Sequence, residues 1–456
     1  MQITPPKNVL TARGSFSKLI FLLKTKILRP KLDRLHRKTD DALKNQNISS
    51  INIKKRNAIF QHAKEHSDFY KKKYADLKIN ETGNLTTEEF LKIPPLTREE
   101  IRNNFHSIKV NNVSPSYCDK VSTSGSTSLP VSVIHDNRHP ETPIRWRILS
   151  WWGINPWENQ AFIYRFKKSF FKQILNTILW WPTKRIFLAA ANPQKKQLEK
   201  YVRDFNRIKP TLLQGYVDVV FEFALYLLDN NIKIHAPKMV WVTSAPLFEE
   251  QRILMEKAFG APVCDQYGNT EIMLIAAECP NKEGLHIMQD TVHIEFVDEF
   301  NQPIPPNTTG KILLTDLTNY AFPLIRYEIG DEGQYKEMKC TCGIPLPLMN
   351  NIHGRQSTHI VTPSGLHIKG EHIMAMFNEH MGMFKELQLI QQVDFSVSIN
   401  FVPRIKEGCK ISAEKMVDLL KKRSRSEIKI RYTKTNKIRQ VGNKTPLIIS
   451  NVTSNI

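Results

Sequence analysis

Val121-Ser-Thr-Ser-Gly-Ser-Thr-Ser-Leu-Pro130 is a run of hydroxyl side chains around one glycine, and it stands directly before a β-prone run, Val131-Ser-Val-Ile134. Glycine tolerates backbone conformations that a larger residue cannot adopt. The N–H groups and hydroxyls of residues 124–127 can therefore wrap the phosphates of a nucleotide. No Gly-Lys-Ser/Thr follows, so the run is not a Walker loop. A flexible Ser/Thr linker is the alternative, and the rest of the chain decides between them.

Length and composition indicate a globular protein with more than one domain. The chain has 456 residues, of which 41% are hydrophobic, enough for a large buried core. No apolar run reaches the roughly 18–20 residues of a membrane-spanning helix. The apolar patch Leu19–Leu23 is too short for a secretory signal. Six cysteines do not make a disulfide framework, so we expect a reducing, cytoplasmic location.

The net charge of +21 favours an anionic surface, an acidic polymer or a phosphate-rich cofactor as a partner. Basic residues concentrate near the two ends, for example at Lys71–Lys73 and Lys421–Arg425. The sequence has no zinc-finger spacing, aromatic RNA-binding signature or arginine-rich arm, so we expect no specific nucleic-acid partner. A solvated basic face is the alternative explanation, and a charge-driven nucleic-acid binder would show steeply salt-dependent binding without ATP.

The order of patterns along the chain predicts an α/β fold. Residues 13–75 have helical periodicity, and residues 131–340 alternate short β-rich runs with helical ones, which favours a layered α/β core. Beyond Arg355, two strand-like runs at 396–402 and 427–432 flank a helix-like segment. We therefore predict a large N-terminal multi-layer α/β domain and a small C-terminal α+β domain.

Two features suggest contact with a membrane. The first predicted helix has a basic side and could lie on an anionic bilayer. Six of the seven tryptophans fall between residues 146 and 181, interleaved with arginines and lysines. Tryptophan favours half-wet interfaces, so this segment could dock a membrane or a lipid-linked substrate. A buried aromatic core is the alternative.

Four further segments suit nucleotide binding. Trp241-Val-Thr-Ser-Ala-Pro246 ends in small residues on which an adenine can lie flat. Asp265-Gln-Tyr-Gly-Asn-Thr-Glu271 offers a tyrosine for stacking, a glycine for a turn, a threonine for phosphate and a glutamate for Mg²⁺. Pro323-Leu-Ile-Arg-Tyr-Glu-Ile-Gly-Asp331 delivers an aspartate that can accept from ribose hydroxyls, and Ile352-His-Gly-Arg355 stands at the change of character.

In this order, the segments resemble the adenylate-forming (AMP-dependent) superfamily of acyl-CoA synthetases and ligases. The branch that they resemble is the phenylacetate–CoA ligase family with its capsular-polysaccharide, CapK-like members. The resemblance begins near His62–Tyr70, continues through Ile93–Thr97 and Leu213–Tyr216, and reaches the C-terminal domain. It covers nearly the whole chain.

The resemblance implies a role for each segment. The hydroxyl-rich loop would bind the ATP phosphates, residues 244–246 the adenine, Asp331 the ribose, and Arg355 the nucleotide. Thr270 and Glu271 would bind phosphate and Mg²⁺, and Lys437 would be the adenylation lysine, with Lys434 or Lys444 as alternatives. The implied catalytic residues are Lys437, Glu271 and Thr270. The implied nucleotide-binding residues are Ser124, Gly125, Ser126, Thr127, Ser244, Ala245, Pro246, Tyr267, Gly268, Asp331 and Arg355.

The implied activity is an ATP-dependent, AMP-forming ligase. It would activate a small carboxylic acid as an acyl-adenylate and transfer it to CoA or to another thiol, amine or hydroxyl. Surface or capsular polysaccharide biosynthesis, with a polysaccharide precursor as acceptor, is the implied context. Residues 1–354 would bind ATP and the acid, and residues 355–456 would form a mobile lid that carries the late lysine. The oligomeric state stays open.

Three positions depart from the family pattern. Ser128 replaces the glycine that usually follows the second threonine of the loop, and Gln356–Thr358 replace an acidic residue after Gly-Arg. Asn436 stands where a glycine usually precedes the lysine. These departures motivate an alternative, a catalytically weakened relative that binds a nucleotide or an anion without ligase turnover.

Four residues could hold a structural zinc ion. Cys340-Thr-Cys342, together with Cys279 and His286, would complete a Cys₃His site. Cys-x-Cys is less typical of zinc sites than Cys-x₂-Cys, but similar Cys-x-Cys-Gly segments precede Gly-Arg in members of the family that this chain resembles. Cysteines without a metal are the alternative.

Overall fold

A computed structural model of the chain separates into two units. It describes residues 12–44, 47–77, 85–122, 131–139, 141–164, 170–190, 193–244, 247, 249–350, 352, 359–377, 380, 383–403, 408–438 and 448–452. The first unit is formed by residues 1–121 and 132–352, and the second includes residues 353–456. The predicted boundary between residues 354 and 355 falls outside the described residues and stays a prediction.

The N-terminal part is helical, as its periodicity predicts. Its helices are α1 (Ala12–Leu28), α2 (Pro30–Lys44), α3 (Ile48–His66), α4 (Asp68–Lys73), α5 (Thr87–Leu91), α6 (Arg98–Asn103) and α7 (Phe105–Ile108), followed by a 3₁₀ turn at Pro115–Tyr117. Capping boxes start two of them: Thr86 pairs with Glu89 at α5, and Thr97 pairs with Glu100 at α6. Each box satisfies two N–H groups that a helix start leaves unpaired.

The middle of the chain alternates helices with strands. In chain order the elements are β1 (Cys118–Ser122), β2 (Ser132–Asp136), α8 (Thr142–Trp151), β3 (Gln160–Tyr164), α9 (Phe170–Trp180), β4 (Arg185–Ala189), α10 (Lys195–Ile208), β5 (Leu212–Tyr216), α11 (Val217–Asp229), β6 (Met239–Thr243), α12 (Glu249–Phe259) and β7 (Val263–Tyr267). β1 and β2 pair with each other on either side of the hydroxyl-rich segment. Residues 123–130 of that segment lie outside the described part of the chain.

Strands β3 to β7 form a parallel sheet in the order β4-β3-β5-β6-β7. In β6 and β7 the first four residues are all buried, as expected for strands covered on both faces by crossover helices. The chain leaves β3 toward β4 and then returns to the other side of β3 with β5. Ligands bind at such a reversal, outside the carboxyl ends of the strands.

Antiparallel strands extend the same sheet. They are β8 (Ala276–Glu278), β9 (Leu285–Ile287), β10 (Val292–Val297), β11 (Thr309–Asp316), β12 (Tyr327–Lys336) and β13 (Leu348–Met349). Among the described strands the full order is β10-β11-β12-β13-β9-β8-β7-β6-β5-β3-β4.

A buried arginine joins the N-terminal helices to this sheet. Arg326 donates from Nε to the Glu295 carboxylate at 3.1 Å and from Nη1 to the carbonyl of Leu91 at 2.7 Å. Beside it, the N–H of Leu96 donates to the Arg326 carbonyl at 3.0 Å, and Leu96 forms a parallel bridge with Tyr327. These bonds fix the start of α6 against β12.

The second unit is small and mixed. Its elements are β14 (His359–Val361), β15 (His367–Lys369), α13 (Gly370–Phe377), β16 (Phe384–Gln391), β17 (Val397–Pro403), α14 (Cys409–Arg423), β18 (Ile430–Lys434) and β19 (Ile448–Ser450). Four of these strands form a sheet in the order β18-β17-β16-β19. The predicted fold class, a large multi-layer α/β domain followed by a small α+β domain, is confirmed.

Candidate nucleotide site and cysteine–histidine cluster

Three of the predicted segments end at one edge of the sheet. Tyr216 of β5 is level with Thr243 of β6, and Thr243 is level with Gln266 of β7. Parallel strands in this register deliver their following residues to a common edge. Ser244 and Tyr267 therefore lie at neighbouring strand ends. Ser244 adopts a positive φ of 73°, an unusual backbone conformation for a residue with a side chain.

The turn after β7 is fixed by a glycine and an asparagine. A Cβ atom on Gly268 would lie 1.8 Å from the carbonyl oxygen of Met273, so no other residue fits this backbone. The Asn269 side chain accepts from the N–H of Ile272 at 2.6 Å, and Gln266 Nε2 donates to the Met273 carbonyl at 2.9 Å. These contacts hold Thr270 and Glu271 in one geometry.

Glu271 is almost fully buried, with 2% of its surface exposed. Its Oε1 accepts a hydrogen bond from the Tyr327 hydroxyl at 2.8 Å and lies 3.7 Å from Nη2 of Arg98. Burial raises the pKa of Tyr327, so this side chain stays a hydrogen-bond donor. Burial alone would lower the pKa of Arg98, but the neighbouring Tyr327, Glu271 and Asp331 together raise it.

Tyr267 and Asp331 meet across 64 residues of sequence, because the tyrosine hydroxyl donates to Asp331 Oδ2 at 3.0 Å. Burial raises the pKa of Tyr267, and the neighbouring Asp331 carboxylate raises it further. The aspartate itself is only half-buried and stands near the start of β12. The structure thus brings together the tyrosine, the glutamate and the aspartate that the sequence singles out.

Thr270 is exposed, and its backbone carbonyl lies 2.8 Å from Nε2 of His135 in β2. This contact links the Thr-Glu turn to the strand that follows the hydroxyl-rich segment.

Other predicted residues cannot be compared in this way. Ser124, Gly125, Ser126 and Thr127 lie outside the described residues, as do Ala245, Pro246 and Arg355. Lys437 is described: it is exposed on the turn that follows β18 in the second unit, and the adjacent Ile438 is buried. The roles of all these residues stay predictions.

Sequence reasoning missed Arg98, Tyr327 and His135. Arg98 follows the Thr97 cap, and Tyr327 lies inside the segment quoted for Asp331, so both were within view. Nothing in the sequence pairs Arg98 with Glu271, which is 173 residues later by numbering, because that pairing depends on the Leu96–Tyr327 bridge.

Beside this edge, one face of the sheet carries polar atoms without partners. Arg145 of α8 lies over the Trp241 ring, with the guanidinium carbon 5.0 Å from the ring centroid. Within the described residues, Arg145 Nη2, Trp241 Nε1 and Gln214 Oε1 are buried and have no hydrogen-bond partner. Burial lowers the pKa of Arg145. Unpaired buried donors are costly, so this face is chemically suited to a polar ligand.

The second cluster is the predicted Cys₃His set. One ligand atom from each of Cys279, His286, Cys340 and Cys342 lies within 4.8 Å of all the others. Sγ of Cys279 is 3.6 Å from Sγ of Cys340, and Sγ of Cys342 is 3.3 Å from Nε2 of His286. Tetrahedral zinc with bonds of about 2.0–2.3 Å spaces its ligands by roughly 3.4–3.8 Å. The sulfurs are too far apart for a disulfide.

The groups around this cluster suit a metal. Nδ1 of His286 lies 3.3 Å from the Leu346 carbonyl, which directs Nε2 toward the cysteines. The N–H of Ile344 donates to Sγ of Cys342 at 3.4 Å. Burial raises the pKa values of Cys279 and Cys340 and lowers the pKa of His286. A neutral imidazole with an oriented ring and three sulfurs is a closed zinc-type donor set.

Comparison with known proteins gives relatives of one kind. The sequence matches no protein-family model. It is 26% identical to Protein CapK of Staphylococcus aureus over 286 residues, which are 60% of each chain. It is 32% identical to the phenylacetate-coenzyme A ligase of Thermus thermophilus over 120 residues, 25% of this chain and 27% of that one. The chain therefore spans less than two thirds of the length of these relatives.

Solved structures of 2-hydroxyisobutyryl-CoA ligase share the fold over most of the chain. The complex with 2-HIB-AMP and CoA in the thioesterification state gives a TM-score of 0.65 at 16% identity and covers 88% of both chains. The postadenylation complex with R3-HIB-AMP gives a TM-score of 0.59 and covers 88% of this chain and 89% of that one.

Proposed function

We propose that this chain, a relative of CapK and of phenylacetate–CoA ligases with the fold of an acyl-CoA ligase, is an ATP-dependent, AMP-forming acid–CoA ligase. The resemblance stated from the sequence is confirmed by these relatives and by this fold. The reaction has two halves. A carboxylate attacks the α-phosphate of ATP and expels pyrophosphate, and the thiol of CoA then attacks the acyl-adenylate and expels AMP.

The convergence of Tyr267, Glu271 and Asp331 at the carboxyl edge of the sheet carries this proposal. Asp331 has carboxylate oxygens to accept from the ribose hydroxyls, and Tyr267 holds it in place. Tyr267 is itself half-buried, which leaves ring surface for the base to stack on. Thr270 is exposed beside them and can donate its hydroxyl to a phosphate.

Glu271 is the residue that would hold Mg²⁺, because a carboxylate oxygen suits this hard cation and phosphates supply the rest of its shell. The bound ion would neutralise charge on the phosphate oxygens. Tyr327 and Arg98 keep the glutamate in one position and favour its charged form. Lys437 is the candidate for the cation that stabilises the transition state of adenylation.

The acid would lie against the face that carries Arg145 and Trp241. The partnerless N–H groups there can donate to a polar group on the acid, and Gln214 Oε1 can accept. We therefore favour acids with a hydroxyl, carbonyl or second carboxylate over purely aliphatic ones. Arg145→Met should raise KM for such acids about 10-fold or more while changing KM for simple fatty acids little. Equal effects on both classes would remove Arg145 from the acid site.

The cellular context follows from the substrates and relatives. ATP and CoA are cytoplasmic metabolites, and among the described residues the six cysteines form no disulfide, so we place the reaction in the cytoplasm. The likeness to CapK supports a role in capsule or surface polysaccharide biosynthesis, where a hydroxyl or amine of a polysaccharide precursor is a second acceptor to test.

The decisive assay is ATP–pyrophosphate exchange across a panel of carboxylic acids, followed by product identification with and without CoA. The wild-type protein should exchange with at least one acid. Lys437→Ala should lose about 100-fold or more of that exchange. Lys434→Ala, which changes an exposed lysine in β18, is the matched control and should retain it. Equal losses in both variants would remove Lys437 from the site.

The same assay separates the ligase from a weakened relative. Wild-type protein that binds ATP but exchanges pyrophosphate with no acid would support the alternative motivated by Ser128, Ser357 and Asn436. Restoring Ser128→Gly should then recover exchange, because the loop would regain its usual glycine. Binding to nucleic acid that is stronger than binding to ATP would contradict both readings.

We also propose that the cysteine–histidine cluster holds a structural zinc ion. The mutual distances, the oriented histidine and the burial of three of the four residues support it. The site is closed, with four protein ligands and no position left for a substrate.

The zinc proposal is tested by metal content. Protein purified without added metal should contain about one zinc per chain, and Cys340→Ser should contain far less. Cys118→Ser is the control because Cys118 lies in β1, away from the cluster. Zinc-free wild-type protein that is fully stable in a chelator would contradict the proposal.

A further inference from the structure

Helices α1 and α9 present a broad apolar surface to solvent. We call it the α1–α9 surface, and its exposed large apolar side chains are Phe16, Leu19, Leu22, Leu23, Ile27 and Leu28 from α1 and Phe171, Ile174, Leu175, Ile178, Leu179 and Trp181 from α9 and its end. Ile27 is 71% exposed and Phe171 82% exposed. Single exposed apolar residues are ordinary, but a contiguous set of this kind marks an interaction site.

The two helices are held together, so the surface is preformed. Lys24 Nζ donates to the carbonyl of Trp181 at 2.7 Å, and its charge lies 5.5 Å from the centroid of that ring. The rings of Phe16 and Trp181 meet edge to face at 6.0 Å. On its inner side α1 inserts Phe21 against Trp146, with ring centroids 5.3 Å apart. The tryptophan-rich segment thus divides, because Trp146 is buried in the core and Trp181 is 55% exposed on the surface.

The charges around the surface have one sign. Neither α1 nor α9 contains an aspartate or a glutamate, whereas α1 contains Lys18, Lys24 and Lys26. The chain as a whole carries +21. An apolar face bordered by lysines is the pattern of helices that lie in the plane of a bilayer and bind acidic headgroups.

Two other occupants fit less well. None of the helices in the described chain combines the length and the apolar character that spanning a bilayer requires. A second copy of this chain, docked through the same face by two-fold symmetry, would bring the α1 lysines of both copies together without acidic partners on α1 or α9.

We propose that the α1–α9 surface docks the protein onto an anionic lipid bilayer as a peripheral protein. The apolar side chains enter the boundary between headgroups and acyl chains, and the lysines contact the anionic headgroups. This inference does not depend on the ligase activity. If both hold, acyl transfer takes place next to the membrane, where lipid-linked acceptors are concentrated.

Vesicle flotation tests the proposal with full-length protein. Wild-type protein should float with vesicles of phosphatidylcholine and phosphatidylglycerol and remain unbound with phosphatidylcholine alone. Ile178→Glu and Lys26→Glu should each weaken binding about 10-fold or more, by removing inserted apolar area and a headgroup contact respectively. The matched control is Ile253→Glu, which changes a 56% exposed isoleucine of α12 and should bind like wild type.

Three outcomes would overturn the proposal. Equal binding of Ile178→Glu and the control to the anionic vesicles would place the contact elsewhere. Equal wild-type binding to both vesicle types would remove the role of the lysines. A wild-type dimer that Ile178→Glu converts to a monomer, without vesicle binding by either, would assign the surface to self-association. Circular dichroism and pyrophosphate exchange of each variant show that the fold and the chemistry are intact.

Discussion

The nucleotide site and the cysteine–histidine cluster lie at opposite ends of a short stretch of chain, yet they are built in opposite ways. In the cysteine–histidine cluster, four donor atoms from Cys279, His286, Cys340 and Cys342 face one another within 4.8 Å. In the nucleotide site, Glu271 is buried, Asp331 is half-buried, and Thr270 points to solvent. The first arrangement is closed around a small ion, and the second is open on the side from which a substrate arrives.

This difference indicates which energy each cluster serves. A closed set of sulfur and nitrogen ligands contributes to folding, because its metal binds the folded chain far more tightly than the unfolded one. An open set of carboxylates and hydroxyls contributes to binding and catalysis, and can be altered with little loss of stability. Variants of the two clusters should therefore separate stability from activity.

The largest expected effect is on stability. Cys279→Ser should lower the free energy of unfolding by about 4 kcal/mol or more, because it removes a ligand from a metal that the fold depends on. Chemical denaturation with and without a chelator measures it. The chelator should destabilise wild-type protein and leave the variant unchanged. A variant that is as stable as wild type would end the distinction between the clusters.

The next effect is on activity. Gly268→Ala should reduce pyrophosphate exchange about 100-fold, because the added Cβ forces the Thr270–Glu271 turn away from the Met273 carbonyl. Gly153→Ala is the control: Gly153 also has a positive φ, but its Cβ would meet nothing within 4 Å. The control should lose about 1 kcal/mol of stability and keep its activity. Equal activity in the two variants would contradict a role for the turn.

A smaller loss is expected from the hydrogen bond to Glu271. Tyr327→Phe should lower exchange about 10-fold, since one bond to a buried carboxylate disappears while the ring remains. Tyr335→Phe, in the same strand but 36% exposed, should behave like wild type. Measuring kcat and KM for MgATP separately is informative. A purely structural role for Tyr327 would lower stability without changing KM for MgATP.

The smallest effect compares two capping boxes. Thr97→Ala and Thr86→Ala should each cost about 1 kcal/mol of stability, because each removes an N-cap. Thr97 precedes Arg98, so only its variant should also raise KM for MgATP, by a few-fold. Matching KM values in the two variants would show that the start of α6 does not tune Glu271.

Much of the fold was predictable because its signals are local. The runs at 239–243 and 249–259 match β6 and α12 in both type and bounds, since apolar runs and helical periodicity are properties of neighbouring residues. The Thr97 cap followed from Thr-x-x-Glu in the same way. The fold class then followed from the alternation of helices and strands.

The site was predictable only where chemistry named a residue type. The order of segments pointed to Tyr267, Glu271 and Asp331, and cysteine spacing pointed to the cluster. Arg98 escaped because its meaning comes from a contact between the N-terminal helices and β12, which no local pattern encodes. The unpaired atoms of Arg145 and Trp241 escaped for the same reason: burial without a partner is a property of packing alone.

The Arg326 contacts also constrain when the molecule can assemble. The chain is made from its N-terminus, but the segment at 91–96 finds its partners only when Arg326 and Tyr327 arrive, 235 residues after Leu91. Until then the apolar inner sides of α3 to α6 have no sheet to cover them. A ribosome-bound chain stopped before Arg326 should therefore depend on chaperones, and one that extends past β12 should be released from them.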